Sequence, residues 1–191
     1  MLHALYPSVK RLHLCAVLLA TFVAPLQCAT LERLSLDDMI TKSTMIVRGS
    51  VTATWAAYTG SVIYTHYKIQ VSESFKGNTK GSVEIMVPGG TVNGLHTSFS
   101  GAPVLNRGDE FVFFLWTSNH GITWITGLTQ GLFTLPADPA TTDRIATRAA
   151  SRELMLDAAT SQVVKDTALA MKLSDLRTRI AATLAAPGGA K

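Results

Sequence analysis

Alternating apolar and polar residues run through the first two thirds of the chain and predict a series of β-strands. In 45–55 (MIVRGSVTATW), Val47, Val51 and Trp55 fall on one face and polar residues on the other, as in a half-buried strand. In 62–72, Ile63, Thr65, Tyr67, Ile69 and Val71 share one face, while Tyr64, His66, Lys68, Gln70 and Ser72 share the other. The sequence YTHY is therefore predicted to be strand rather than a converging cluster of reactive groups.

Four further strands follow from shorter apolar runs. They are predicted at 82–90, where Pro88, Gly89 and Gly90 stop the strand, and at 111–116, 122–128 and 131–135. The run FVFFLW (111–116) is apolar on both faces, which predicts a central strand covered on both sides. SNHG (118–121) predicts a hairpin turn after it.

Helical signals stand at the two ends of this strand-rich region. Ser35 is a predicted N-cap, and Asp37 and Asp38 fall in the first turn, so 35–43 is predicted to be a short helix. After a linker at 137–143, residues 144–157 are predicted to be helical. An apolar stripe that ends before Pro187 predicts a last helix, on Leu169, Leu173, Leu176, Ile180 and Leu184. This stripe either packs on the outer face of FVFFLW or binds a partner or a second copy.

These elements predict a mainly β, α+β fold. The expected architecture is a small antiparallel OB-like barrel of five or six strands, with a short N-terminal helix and a helical C-terminal extension packed on it. The expected division is a barrel domain at 30–135 and a C-terminal part at 136–191.

The N-terminal residues have the three-part order of a secretory signal peptide. Lys10 and Arg11 precede an apolar run at 14–26, and small residues follow at 28–30. The run is shorter than the roughly 20 residues of a membrane-spanning helix. We therefore predict a signal peptide at 1–29, cleaved after Cys28 or Ala29, and a periplasmic or extracellular protein without stable membrane insertion. The alternative is that this N-terminal segment is not cleaved and anchors the protein in the membrane.

Cleavage would change both the cysteine content and the charge. The only cysteines, Cys15 and Cys28, lie in the predicted signal peptide, so the mature chain would have neither a disulfide nor a thiol nucleophile. Loss of Lys10 and Arg11 would leave 15 basic and 13 acidic residues, a net charge of +2. That charge is too small to indicate a nucleic-acid partner.

The order of the strand motifs resembles that of known exported domains. IVRGSV, YTHYKIQVSESFKG, VEIMVPGG and NRGDEFVFFLW are similar in outline to the netrin and tissue-inhibitor-of-metalloproteinase module, an OB-like barrel. VPGG, SGAP and GLTQGLF resemble motifs of an uncharacterised family of exported bacterial proteins. The resemblance covers about 35–135 and implies a fold. Metalloproteinase inhibition is not implied, because it depends on an N-terminal cysteine that the predicted mature chain lacks.

Patterns typical of catalysis are weak in this sequence. His66, His96 and His120 are widely spaced and form no metal-binding pair, so no metal or other cofactor is predicted. TSFSG (97–101) has serine where a nucleophile elbow has its first glycine. Capping and turn formation are sufficient to explain Asp37–Asp38 and Asp109–Glu110. No catalytic residue is therefore predicted.

The predicted long loop at 89–108 is the best candidate for function, because long irregular segments in compact domains are often functional. Alternatively, Phe99 and Leu105 simply fold it back onto the barrel. We predict an exported, non-enzymatic binding or accessory domain with a protein or glycan partner; the alternatives are a hydrolase or metal-dependent enzyme and a structural envelope protein anchored by its N-terminus. The candidate binding residues, on the loop and the polar face of the second strand, are Tyr64, His66, Lys68, His96, Phe99 and Arg107.

Overall fold

The computed structural model describes residues 30–186 and is mainly β. The predicted signal peptide, its cleavage sites and the chain after Ala186 lie outside these residues. The helices are α1 (Leu36–Lys42) and α2 (Leu173–Ala185), and a 3₁₀ turn spans Leu128–Gly131. The strands are β1 (Thr30–Glu32), β2 (Met45–Thr59), β3 (Val62–Lys76), β4 (Ser82–Pro88), β5 (Gly90–Val92), β6 (Leu95–Thr97), β7 (Glu110–Thr117), β8 (Thr123–Ile125), β9 (Leu132–Thr134), β10 (Ile145–Arg148), β11 (Leu154–Leu156), β12 (Val163–Val164) and β13 (Leu169–Lys172).

Eight strands form the main sheet, in the order β13-β10-β9-β7-β2-β3-β4-β8. Strand β8 pairs with two neighbours, antiparallel with β7 and parallel with β4. The other strands form two small sheets, β1-β11-β12 and the β5–β6 hairpin.

The apolar residues of the main sheet belong to two separate cores. The sheet core lies on one face and consists of Val47, Val51, Tyr67, Ile69, Ile85, Val87, Leu105, Phe113, Leu115, Ile125 and Leu132. The helix core lies on the other, outer face and includes Ile46, Val112, Phe114, Met39, Ile40, Phe133, Ala146, Leu173, Leu176 and Ile180. Because successive residues of β7 alternate between these cores, the prediction that FVFFLW is covered on both sides is confirmed up to Leu115.

The predicted first helix is confirmed with its cap. The Ser35 hydroxyl accepts a hydrogen bond from the Asp38 N–H, and the Asp38 carboxylate accepts one from the Ser35 N–H. The Lys76 ammonium donates to the carbonyl oxygens of Ile40 and Thr41 at the end of α1. Burial lowers the pKa of Lys76.

The helix predicted at 144–157 is wrong, because this segment contains β10 and β11. Ile145–Arg148 pairs with β13 and extends the main sheet, and Leu154–Leu156 pairs with β1. Cross-strand pairing and burial of Ala146 and Met155 outweigh the helix propensity of the surrounding alanines.

One further expectation changes at the C-terminus. Leu169 lies in β13 rather than on the final helix, which begins at Leu173. The stripe on α2 buries Leu173, Leu176 and Ile180 in the same core as Phe114 of β7.

A buried ion pair secures the segment before α2. The Arg148 guanidinium donates two hydrogen bonds of 3.0 Å to the Asp166 carboxylate, and the exposed fractions of these side chains are only 4% and 2%. Burial alone would raise the pKa of Asp166. Hydrogen bonds from the Ser151 N–H and from Arg148 outweigh that effect and hold the pKa below its usual value.

Strand β2 departs from the alternation that was predicted for it. Its pairing with β3 shifts register between Ile46 and Val47, between Arg48 and Gly49, and between Val51 and Ala53. The first two shifts place the extra residue on β3, whereas the last places Thr52 as the extra residue on β2 and so moves the following β2 side chains to the opposite face. The expectation that Trp55 shares a face with Val51 is therefore wrong: Trp55 lies opposite His66 on the outer face.

Candidate functional site

The segment predicted as a loop at 89–108 forms a cleft against the sheet, although it is not wholly irregular. Residues 90–97 fold as the β5–β6 hairpin, and an irregular segment returns to β7. The space beneath has a volume of about 380 Å³. We call it the loop cleft; it is lined by Thr54, Thr65, Tyr67 and residues 87–90, 96–99 and 102–105.

Glycines give the hairpin its position over the cleft. Asn93 and Gly94 have φ angles of 51° and 81°, the left-handed conformations that a tight hairpin turn requires. Gly90 has a φ of 137°, and a Cβ there would lie 2.6 Å from the Thr65 Oγ1. The chain can therefore cross β3 this closely only with glycine at position 90.

The polar groups of the loop cleft are side-chain hydroxyls, one imidazole and the polar groups of the backbone. The Thr65 hydroxyl donates to the Gly89 carbonyl oxygen at 2.8 Å, and the His96 Nδ1 lies 3.0 Å from the Thr91 Oγ1. Within residues 30–186, the hydroxyls of Thr97 and Ser98 make no hydrogen bond with the protein. None of the lining residues is Asp, Glu, Lys or Arg.

Tyr67 is the most deeply buried polar side chain in this lining. Its side chain belongs to the sheet core, with 3% of the residue exposed. Its hydroxyl oxygen accepts a hydrogen bond from the Leu105 N–H at 3.4 Å. The hydroxyl hydrogen has no acceptor among the described residues, so this group retains a free donor.

Large apolar side chains form the rim of the loop cleft. Phe99 is 44% exposed and Val104 is 83% exposed, although both line the cleft. Leu105, the next residue, is buried in the sheet core and holds the segment in place. The expected folding-back of Leu105 is therefore confirmed, whereas Phe99 remains largely at the surface.

A second surface lies on the outer face of the sheet. Cross-strand pairing aligns one residue from each of five strands; we call them the aromatic row: Trp55, His66, Met86, Trp124 and Trp116. The rings of Trp55 and His66 are within 11° of parallel, with centroids 5.2 Å apart. Tyr64 contacts Trp124 edge-on at 5.4 Å. This contact crosses β4, on which Met86 is buried.

His66 also contacts a carboxylate beside the aromatic row. Its Nδ1 lies 2.8 Å from the Glu84 Oε1, so this nitrogen carries the hydrogen when Glu84 is ionised. The His66 Nε2 is buried and has no partner in the described part of the chain. A carboxylate and a stacked indole therefore hold the imidazole in one orientation.

The six predicted binding residues do not converge. His96 and Phe99 line the loop cleft, whereas Tyr64 and His66 belong to the outer face. Lys68 is exposed on that outer face, directly opposite Glu84. Arg107 is exposed in the turn before β7 and lines neither surface.

Sequence reasoning missed several residues of these surfaces. Tyr67 was placed on the buried face, but its hydroxyl was not considered; a tyrosine among aliphatic residues signals a polar group that needs a partner. The Trp116–Trp124 pair was not recognised because register across a hairpin depends on its turn. Residues 93–94, Asn-Gly, were a sequence signal for the β5–β6 hairpin.

Comparison with family models finds no match to the chain, and comparison with curated proteins finds none either. Across residues 30–186, no helix is long and apolar enough to cross a membrane. In the same range, no group of three or more His, Cys, Asp or Glu side chains is arranged to hold a metal ion.

Proposed function

We propose that this chain is an exported, non-enzymatic binding or accessory domain that contacts a protein or glycan partner at the loop cleft. The single observation that carries the proposal is the cleft itself, a concave surface with an apolar rim and a polar lining that contains no Asp, Glu, Lys or Arg. Concave, mostly apolar sites with a few directed polar groups are typical of ligand binding. The exposed Phe99 and Val104 supply contact area at its edge.

The scaffold that we propose for this site is an OB-like barrel. Strands β2, β3 and β4 form an antiparallel meander, β8 runs parallel to β4, and β7 is antiparallel to both β8 and β2. This cyclic order of five strands is the pairing that an OB-like barrel requires, and it supports the assignment. Loops at the ends of such barrels commonly bind ligands.

Export is supported by the sequence of residues 1–29, with its basic start, apolar middle and small residues. A domain without cysteine would depend on packing alone for its stability. The sheet core and the helix core provide that packing.

The test is affinity capture from an envelope and culture-medium extract of the source cells. The baits are residues 30–191 of the natural chain and the double variant Phe99→Ser, Val104→Ser. Both replaced side chains are exposed, so the variant should remain folded. We expect the natural chain to capture a protein or glycan that the variant captures at least tenfold less.

The matched control is Leu154→Ser, Val163→Ser, which removes two exposed apolar side chains from β11 and β12, remote in sequence from the cleft. It should capture as much as the natural chain. An empty capture by folded natural chain would overturn the proposal and favour the enzymatic alternative. Equal losses in both double variants would indicate nonspecific apolar adhesion instead.

A further inference from the structure

We infer that the ligand of the loop cleft is an uncharged sugar, with one or two rings seated between Tyr67 and Phe99. This inference rests on the proposed function, because it names the ligand class for the same site. Three features of the cleft carry it: the absence of Asp, Glu, Lys and Arg from the lining, the free donor of Tyr67 and the neighbouring aromatic and hydroxyl groups.

The lining favours a neutral ligand. An ionised ligand group that left water for this cleft would find no Lys or Arg to pair with a carboxylate and no Asp or Glu to pair with an ammonium. The cost of removing an unpaired charge from water is large. A ligand whose polarity comes from hydroxyl groups avoids this cost, because each hydroxyl both donates and accepts.

The Tyr67 hydroxyl gives the cleft a directed polar contact. Its oxygen already accepts a hydrogen bond from the Leu105 N–H, while its hydrogen has no acceptor among the described residues. Buried donors are nearly always satisfied, by protein, water or ligand. A ligand hydroxyl or ring oxygen would satisfy this donor, and the surrounding sheet core fixes the direction of the tyrosine ring.

The remaining wall provides the two kinds of contact that a sugar ring uses. The C–H groups of a pyranose form an apolar surface that packs on an aromatic ring, and Phe99 is the aromatic side chain at the rim. The hydroxyls of Thr97 and Ser98 adjoin it and have no partner in the described part of the chain. The cleft volume of about 380 Å³ is near the lower end of small-molecule sites, which suits a short saccharide.

The experiment is amide NMR titration of ¹⁵N-labelled residues 30–191. The probes are glucose, N-acetylglucosamine, cellobiose and maltose, with glucuronate as the charged counterpart of glucose. We expect at least one neutral sugar to shift amide signals of residues 65–67 and 96–105. Glucuronate should bind at least fivefold more weakly than glucose if glucose is a ligand, because its carboxylate gains no partner.

Three variants assign the contacts. Tyr67→Phe keeps the buried ring and should weaken sugar binding about fivefold through the lost hydrogen bond. Tyr64→Phe is its matched control on the opposite face of β3 and should leave binding unchanged. Phe99→Ala should weaken binding about tenfold, and because Phe99 is exposed, its effect does not depend on how Tyr67→Phe folds.

The inference is overturned if no sugar shifts the cleft signals, if the shifts fall on the aromatic row, or if glucuronate binds as well as glucose. Loss of binding in Tyr64→Phe equal to that in Tyr67→Phe would also overturn it. A second outcome is that the natural chain captures a protein, that the Phe99→Ser, Val104→Ser variant does not, and that no sugar shifts the cleft signals. This outcome would support the proposed function and overturn only the inference that the ligand is a sugar. An empty capture together with a sugar response at the cleft would support a small ligand there and exclude a macromolecular partner.

Discussion

The outer face of the main sheet contains two regions that look alike in sequence but differ in structure. Around Phe114, the face is covered by α1 and α2 and is part of the helix core. Trp116, only two residues further along the same strand and on the same face, lies outside the helix core, and the residue is 41% exposed. Apolar alternation therefore identifies a face, while the covering element decides whether that face becomes core or surface.

The largest expected effect contrasts these two residues directly. Phe114→Ala should lower the free energy of unfolding by about 3–5 kcal/mol, because it removes a fully buried ring and leaves a cavity. Trp116→Ala should cost only about 1 kcal/mol, since much of the ring already contacts water. Urea denaturation of both variants measures the difference. Equal losses would contradict the idea that burial in the helix core distinguishes Phe114 from Trp116.

A second prediction concerns the segment that leads into α2. Asp166→Ala should destabilise the fold by about 3–5 kcal/mol, because it leaves the buried Arg148 charge without its carboxylate. Since the folded pKa of Asp166 lies below its unfolded value, its contribution is present above about pH 4 and is lost as the pH falls through the folded pKa.

Urea midpoints between pH 7 and pH 2 would test both parts of this prediction. Asp166→Asn is the matched variant: it keeps the shape of the side chain, removes the charge and replaces one of the two acceptor oxygens with an NH2 donor. If Asp166→Ala retained the acid sensitivity of the natural chain, other carboxylates would be responsible for it.

The smallest effect is expected for the exposed ion pair between Arg179 on α2 and Asp37 on α1. Arg179 donates to the Asp37 carboxylate, and these hydrogen bonds, with that from Thr183, hold the pKa of Asp37 below its usual value. Both charged side chains are about half exposed, so Arg179→Ala should cost less than about 1 kcal/mol. Ile180→Ala, at the next position but buried, should cost at least about 2 kcal/mol. Urea denaturation that ranked them in the reverse order would show that charge, not apolar contact, holds α2 in place.

The sequence predicted the parts of this structure in which local pattern and tertiary contact agree. The cap of α1 and the alternation of β3 are local signals, and both are present in the structure. Trp55 was assigned to the wrong face because a register shift after Val51 is set by pairing with β3. Residues 144–157 were misassigned because their strand partners, β13 and β1, lie elsewhere in the chain.

The candidate site, like the fold, could be predicted from the sequence only in part. His96 and Phe99 were identified because they lie on an unusually long connection. Tyr67 and Thr65 reach the same cleft from a distant strand, and no spacing in the sequence links them to residues 96–105. The cleft is therefore a product of topology, as is the aromatic row.

The pairing of β1 with β11 also constrains the order of events during synthesis. Thr30 lies opposite Leu154, so the first described strand has no partner until more than three quarters of the chain exists. A chain made from its N-terminus onward holds this strand unpaired until then. The predicted signal-peptide cleavage sites, after Cys28 and Ala29, lie directly before β1. A peptidase requires an extended, accessible backbone, so cleavage would have its best opportunity before β11 arrives, and the final docking of β1 would follow processing.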